Sequence, residues 1–184
     1  KHELVHIFSA EFGTGPFKLA SGFNPALIEG IAEAIEGTTD DISLKDFTAL
    51  AYNHNHEIDL KSLFSGFNFF KSNSSLAYTY SGAFIQFLIE KFGINKVKDF
   101  YTNGDFNSAF NSDLNSNQIQ FQKRLKDSPF GNQAMADYYF GRLSILQKIC
   151  PRYIADRLGD AYEYMNSGQL DDAEKLFKEI NYKS

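Results

Sequence analysis

His2-Glu3-Leu4-Val5-His6 sets two imidazoles four residues apart, with a carboxylate next to the first. On a helix, residues four apart lie about 5–6 Å apart at Cβ and point the same way, which suits two zinc–nitrogen bonds of roughly 2.0–2.1 Å. Glu3 then flanks the remaining coordination position. A carboxylate there can take a proton from metal-activated water and pass it to a leaving amine, which is the chemistry of peptide-bond hydrolysis. The plainer alternative is a pair of satisfied histidines on a half-buried helix beside a solvated glutamate. A third ligand decides between the two.

The segment 27–36, Leu-Ile-Glu-Gly-Ile-Ala-Glu-Ala-Ile-Glu, supplies one. Asn24 is the predicted cap of this helix and Pro25 its first residue. Ile28, Ile31, Ala32 and Ile35 form the expected apolar stripe, so Glu29 falls at the edge of the face that meets the first helix. Glu33, one turn on, is placed to accept a hydrogen bond from the free ring nitrogen of a zinc-bound histidine and so fix its tautomer. Gly30 is expected to let these two helices approach closely.

Taken together, His2-Glu3-x-x-His6 and Glu29-Gly30-x-Ala32-Glu33 resemble the gluzincin zinc peptidases, the peptidase MA-like group that includes thermolysin and the aminopeptidase N branch. The resemblance implies a Zn2+ ion held by His2, His6 and Glu29, with Glu3 as general base and Glu33 behind the ligands. The connection between the boxes is slightly longer than in thermolysin, so a small insertion is expected around Gly13 to Phe23. The resemblance also implies a mostly β region upstream, and with only Lys1 before His2 the chain reads as part of a longer precursor. A bacterial envelope or secreted address is expected on the same ground.

Residues 76–93 read as one long helix stopped by glycine. Peptidases similar to this chain carry a tyrosine four residues before a glycine on such a helix, where its phenol helps hold the oxyanion. Tyr78, four before Gly82, fits that spacing. In the aminopeptidase branch the interval is three, a position held here by Thr79, which leaves Tyr80 as the reserve candidate. With ten Tyr and nineteen Phe in the chain, core packing is the competing reading for either ring.

The fold class predicted around these residues is mainly α, the C-terminal helical part of a zincin-like metallopeptidase domain followed by helical hairpins. Helices are expected at about 1–12, 25–36, 44–52, 59–65, 75–92, 95–102, 116–126, 132–149, 151–166 and 169–180, with Ser43 and Asp59 as caps. Residues 66–75, rich in Phe, Asn and Ser, read as a loop near the mouth of the site. The domain expectation is a catalytic helical subdomain at 1–126 and a helical appendage at 127–184. Within the latter, Leu158-Gly159-x-x-Tyr162 and Ala173-x-x-x-Phe177 resemble a tetratricopeptide repeat, although their separation is two residues too long. Either Tyr164 takes the tyrosine position or the match reflects general hairpin packing. His54-Asn55-His56-Glu57 is the other histidine cluster. It reads as a surface loop, a substrate-contacting loop or a second metal site, and no third ligand is apparent for the last.

A net charge of −5 without a basic stripe argues against nucleic acid as a partner. No apolar run approaches the roughly 20 residues of a membrane span. The single Cys150 excludes an internal disulfide without fixing a compartment. The expected partners are a peptide or protein substrate and a protein partner at the C-terminal helices. The alternative function is a non-catalytic, peptidase-like helical scaffold or binding module.

Overall fold

Side-chain caps divide the chain into short helices. The computed structural model describes residues 2–13, 20, 24–39, 41–141 and 151–183. Within these, α1 (His2–Ser9) runs into a single 3-10 turn (Ala10–Phe12), followed by α2 (Pro25–Glu36). A two-residue hairpin, β1 (Thr38–Thr39) and β2 (Ile42–Ser43), pairs antiparallel with Thr38 opposite Ser43. Then come α3 (Leu44–Asn53), α4 (Leu60–Leu63), α5 (Asn68–Lys71), α6 (Ser74–Phe92), α7 (Ile94–Asn103), α8 (Phe106–Phe110), α9 (Leu114–Lys126) and α10 (Gln133–Phe140). The last two helices are α11 (Pro151–Asn166) and α12 (Leu170–Lys183). Asn24, Ser43 and Asp59 cap α2, α3 and α4 by accepting from Leu27, Asp46 and Ser62 N–H groups. Asn73, Asp105, Asp113 and Asn132 do the same for α6, α8, α9 and α10.

Helix α6 is the axis of the first unit, Lys1–Ser144. Its residues from Ala77 to Leu88 are buried nearly all round, the pattern of a helix enclosed by others. Phenylalanines account for much of the packing: Phe84 lies edge-on to Phe121 at 5.4 Å and stacks with Phe106 at 6.3 Å, while Phe106 and Phe110 meet at 4.6 Å. Against this axis α2 packs through glycines. A Cβ on Gly30 would meet the Ser81 carbonyl oxygen at 3.0 Å, and one on Gly82 would lie 2.4 Å from Glu33 Cβ. The close approach that Gly30 permits is therefore to α6, not to α1 as the sequence pattern suggests.

Other departures have local causes. Ile35 is 50% exposed, because the buried face of α2 runs through Leu27, Gly30, Ile31 and Ala34 and leaves Ile35 on its flank. Residues 66–75 are not wholly loop, since α5 forms one turn there and buries Phe69. The hairpin and α8 also lie between expected helices. Part of the insertion expected at Gly13 to Phe23, and the far half of the helix expected at 132–149, lie outside the described residues. Helix α10, which the sequence pattern alone groups with the C-terminal helices, packs Phe140 and Tyr139 onto Phe47 of α3 and falls in the first unit.

The second unit, Ile145–Ser184, pairs α11 with α12. Ala161 and Ala173 are buried where the helices meet, and the Tyr162 and Phe177 rings lie 5.6 Å apart. Gly168, at φ +79°, makes the turn between them. Among the described residues no helix is long and apolar enough to cross a membrane.

Candidate metal centre

Helix α1 is held from one side. Ser9 is buried and shares a hydrogen bond with Tyr101 of α7, and the Phe12 carbonyl accepts from the Thr102 hydroxyl at 2.8 Å. The Phe12 ring rests edge-on against Tyr101 at 5.1 Å. This anchoring turns His2 and His6 toward α2, with their rings 4.8 Å apart and nearly perpendicular. The opposite arc of α1 (Leu4, Ile7 and Phe8) is exposed.

From α2, Glu29 meets both rings: its Oε2 lies 3.2 Å from His2 Nε2 and 3.5 Å from His6 Nε2. These distances match what a zinc ion demands, since bonds of about 2.05 Å to a tetrahedral ion place neighbouring ligand atoms about 3.3 Å apart. The donor set, two neutral imidazoles and a carboxylate, also suits that ion. On the far edge of the His2 ring, Nδ1 faces Glu33 Oε1 at 3.3 Å and Glu36 Oε2 at 3.6 Å. A proton held at Nδ1 by these carboxylates would leave the Nε2 lone pair for a metal. Desolvation is the main reason the Glu33 carboxyl sits above its ordinary range; His2 pulls it down, while Glu36 and Glu29 push it up.

Glu3 is exposed on the flank of the histidine face, about a hundred degrees round the helix from His2. Tyr78 comes from α6, half-buried, with its ring edge-on to Phe69 at 5.1 Å. Burial raises its phenol above the usual range, and the carboxylates of Glu29 and Glu33 raise it further, which places it within their field. Tyr80 is elsewhere. Two residues along a helix is a turn of about 200°, so its ring points into the core, 2% exposed and 6.4 Å from Phe121. Among the described residues its hydroxyl has no hydrogen-bond partner, and burial first, then the Glu57 carboxylate, holds it protonated, far from the α2 carboxylates.

The geometry thus brings together His2, His6, Glu29 and Glu33 with Tyr78, and sends Tyr80 away. It adds Glu36, whose i, i+3 spacing from Glu33 was the available sequence signal. The His54–Glu57 loop makes no such cluster: among the described residues, groups of three potential metal ligands occur only at His2, His6, Glu29 and at His2, Glu33, Glu36. Instead His56 Nε2 meets Asp137 of α10 at 2.8 Å.

A helical domain that carries a His-Glu-x-x-His helix against a glutamate-bearing one has the architecture of a peptidase-like domain. The chain belongs to the Peptidase MA superfamily, whose family model matches residues 1–139. No curated protein and no solved structure matches it.

Proposed function

We propose that this chain is the helical part of a zinc-dependent peptidase of the gluzincin type. The observation that carries the reading is the approach of Glu29 Oε2 to His2 Nε2 at 3.2 Å and to His6 Nε2 at 3.5 Å, the separation that two ligands of one tetrahedral ion take. Zinc, when bound there, supplies a Lewis acid that polarises a peptide carbonyl and lowers the pKa of water to about 7. Glu3 accepts the proton of the attacking water and returns it to the departing amine. The Tyr78 phenol, kept protonated by its surroundings, donates to the oxygen that gains charge during attack. Glu33 holds His2 in the tautomer that leaves Nε2 free.

Elemental analysis of the protein and of Glu29→Ala tests the ligand set. One zinc per chain, lost in the variant, is the expected result, and equal zinc in both would remove the reading. Glu3→Gln should keep its zinc and lose hydrolysis by several orders of magnitude; turnover that survives would exclude Glu3 as the base.

The alternative, a non-catalytic binding module, has its own observation in the second unit. Met165, Leu170, Ala173, Phe177 and Ile180 line an open, mostly apolar concavity of about 620 Å³ on the α11–α12 hairpin. A tetratricopeptide-like role for this hairpin in holding a protein partner agrees with the Tyr162–Phe177 contact. A protein that binds such a partner while its zinc-loaded form hydrolyses no peptide would favour this second reading.

A further inference from the structure

A cavity of about 380 Å³ opens beside the histidine–glutamate cluster, lined by Glu33, Phe47, Ser74, Ser75, Tyr78 and Thr79. It shares two side chains, Glu33 and Tyr78, with the candidate centre, so a group seated in it lies next to the reacting atoms. Its size is within the usual range for a small-molecule or side-chain pocket, about 300–1,000 Å³.

The wall chemistry selects the guest. The half-buried Tyr78 ring provides an apolar surface, and Ser74, Ser75 and Tyr78 provide hydroxyls that accept hydrogen bonds, while Phe47 and Thr79 are buried behind them. Glu33 is the one charged group in the lining, and no Lys or Arg is present to offset it. The N-terminus of α6 nearby carries a fractional positive charge of about half a unit, already met in part by the Asn73 side chain, so the full carboxylate charge prevails. The excess persists with metal in place: Glu3, Glu29, Glu33 and Glu36 together outweigh a divalent ion.

We propose that this cavity is a subsite for a cationic substrate side chain, lysine or arginine, whose aliphatic stem lies on the Tyr78 ring while its head reaches Glu33 and the hydroxyls. The proposal rests on the peptidase reading for its role but not for its test. Backbone amide spectra are recorded with n-butylguanidinium and, as the uncharged control, 1-hexanol. Saturable shifts at Ser74, Ser75, Tyr78 and Thr79 with the cation alone are expected, weakened about tenfold or more in Ser75→Phe, which fills the cavity, and in Ser74→Leu at its rim. Equal response to hexanol, or shifts elsewhere, would overturn the subsite.

In the zinc-loaded protein, kcat/KM for peptides bearing lysine should exceed that for norleucine analogues by about tenfold or more, the ratio collapsing in Ser75→Phe. Hydrolysis without that preference would again overturn the subsite. No hydrolysis of any peptide, with the cation shifts intact, would overturn the peptidase reading and leave the cavity a cation-binding site.

Discussion

Gly82→Ala tests the packing that carries the site. The new Cβ would stand 2.4 Å from Glu33 Cβ and 3.0 Å from Leu44 Cδ2, against an optimal carbon–carbon separation of about 3.5–4.0 Å. Glu33 Cβ belongs to the root of its side chain and cannot swing aside, so α2 and α6 must separate by about 1 Å. Overpacking costs roughly 1–3 kcal/mol and here falls at the upper end, about 3 kcal/mol, because backbone must move; the better helix propensity of alanine returns about 1 kcal/mol, leaving a net loss of about 2 kcal/mol. At roughly 2–4 °C per kcal/mol for a chain of this size, calorimetry should show Tm falling by about 4–8 °C. The moved residue is the one that steadies His2, so zinc affinity by competitive chelation should drop about 10-fold or more. Gly159→Ala serves as the control: nothing lies within 4 Å of its Cβ position, and the substitution should be neutral or stabilising. Unchanged Tm and zinc affinity in Gly82→Ala would refute the claim that a glycine contact sets the position of the α2 carboxylates.

Two further outcomes follow from hydrogen bonds. Asn24 caps α2 through the Leu27 N–H at 3.3 Å and donates to the Phe64 carbonyl at 2.8 Å, so Asn24→Ala should cost about 2 kcal/mol by urea unfolding. Hydroxyls of Ser128 (2.6 Å) and Ser43 (2.7 Å), in that order of effect, hold the Asp46 carboxyl below its usual range. A depressed carboxylate contributes stability above its unfolded value near 3.8 and loses it as pH falls through the lower folded value. Ser128→Ala should therefore be less stable by about 1 kcal/mol near pH 7, with the gap closing in urea titrations as pH falls below the ordinary carboxylate value; a gap that persists in acid would refute the charge-assisted bond.

What the sequence made legible was whatever local chemistry dictates. Asn24-Pro25 and Gly37 bracket α2 at its observed ends, and Ser43 and Asp59 start their helices as expected. The clustering of His2, His6 and Glu29 could be read because they sit on two helices whose phases are visible in the residue order. Elements decided by tertiary packing could not: α5 and α8 are too short to show a period, and they form because Phe69, Phe106 and Phe110 are drawn into the aromatic core. The same holds for Gly30, whose partner could not be known before α6 was seen beside it. The glycine spacing favoured Tyr78 and kept Tyr80 in reserve, and the orientation of α6 separates them.

The donors of the candidate centre belong to helices of unequal security. Glu29 and Glu33 ride on α2, which is wedged against α6, whereas His2 and His6 ride on a helix that is packed along one side and bare at Leu4, Ile7 and Phe8. Lifting α1 removes both imidazoles in one local opening and leaves the carboxylates and the core in place, at a fraction of the cost of global unfolding. An ion held across the two helices would then act as a rivet, shifting that opening equilibrium by mass action in proportion to its own affinity. Hydrogen exchange in α1 would slow on metal addition while exchange in α6 stayed the same, so the element that equips the centre is also the one the ion fastens down.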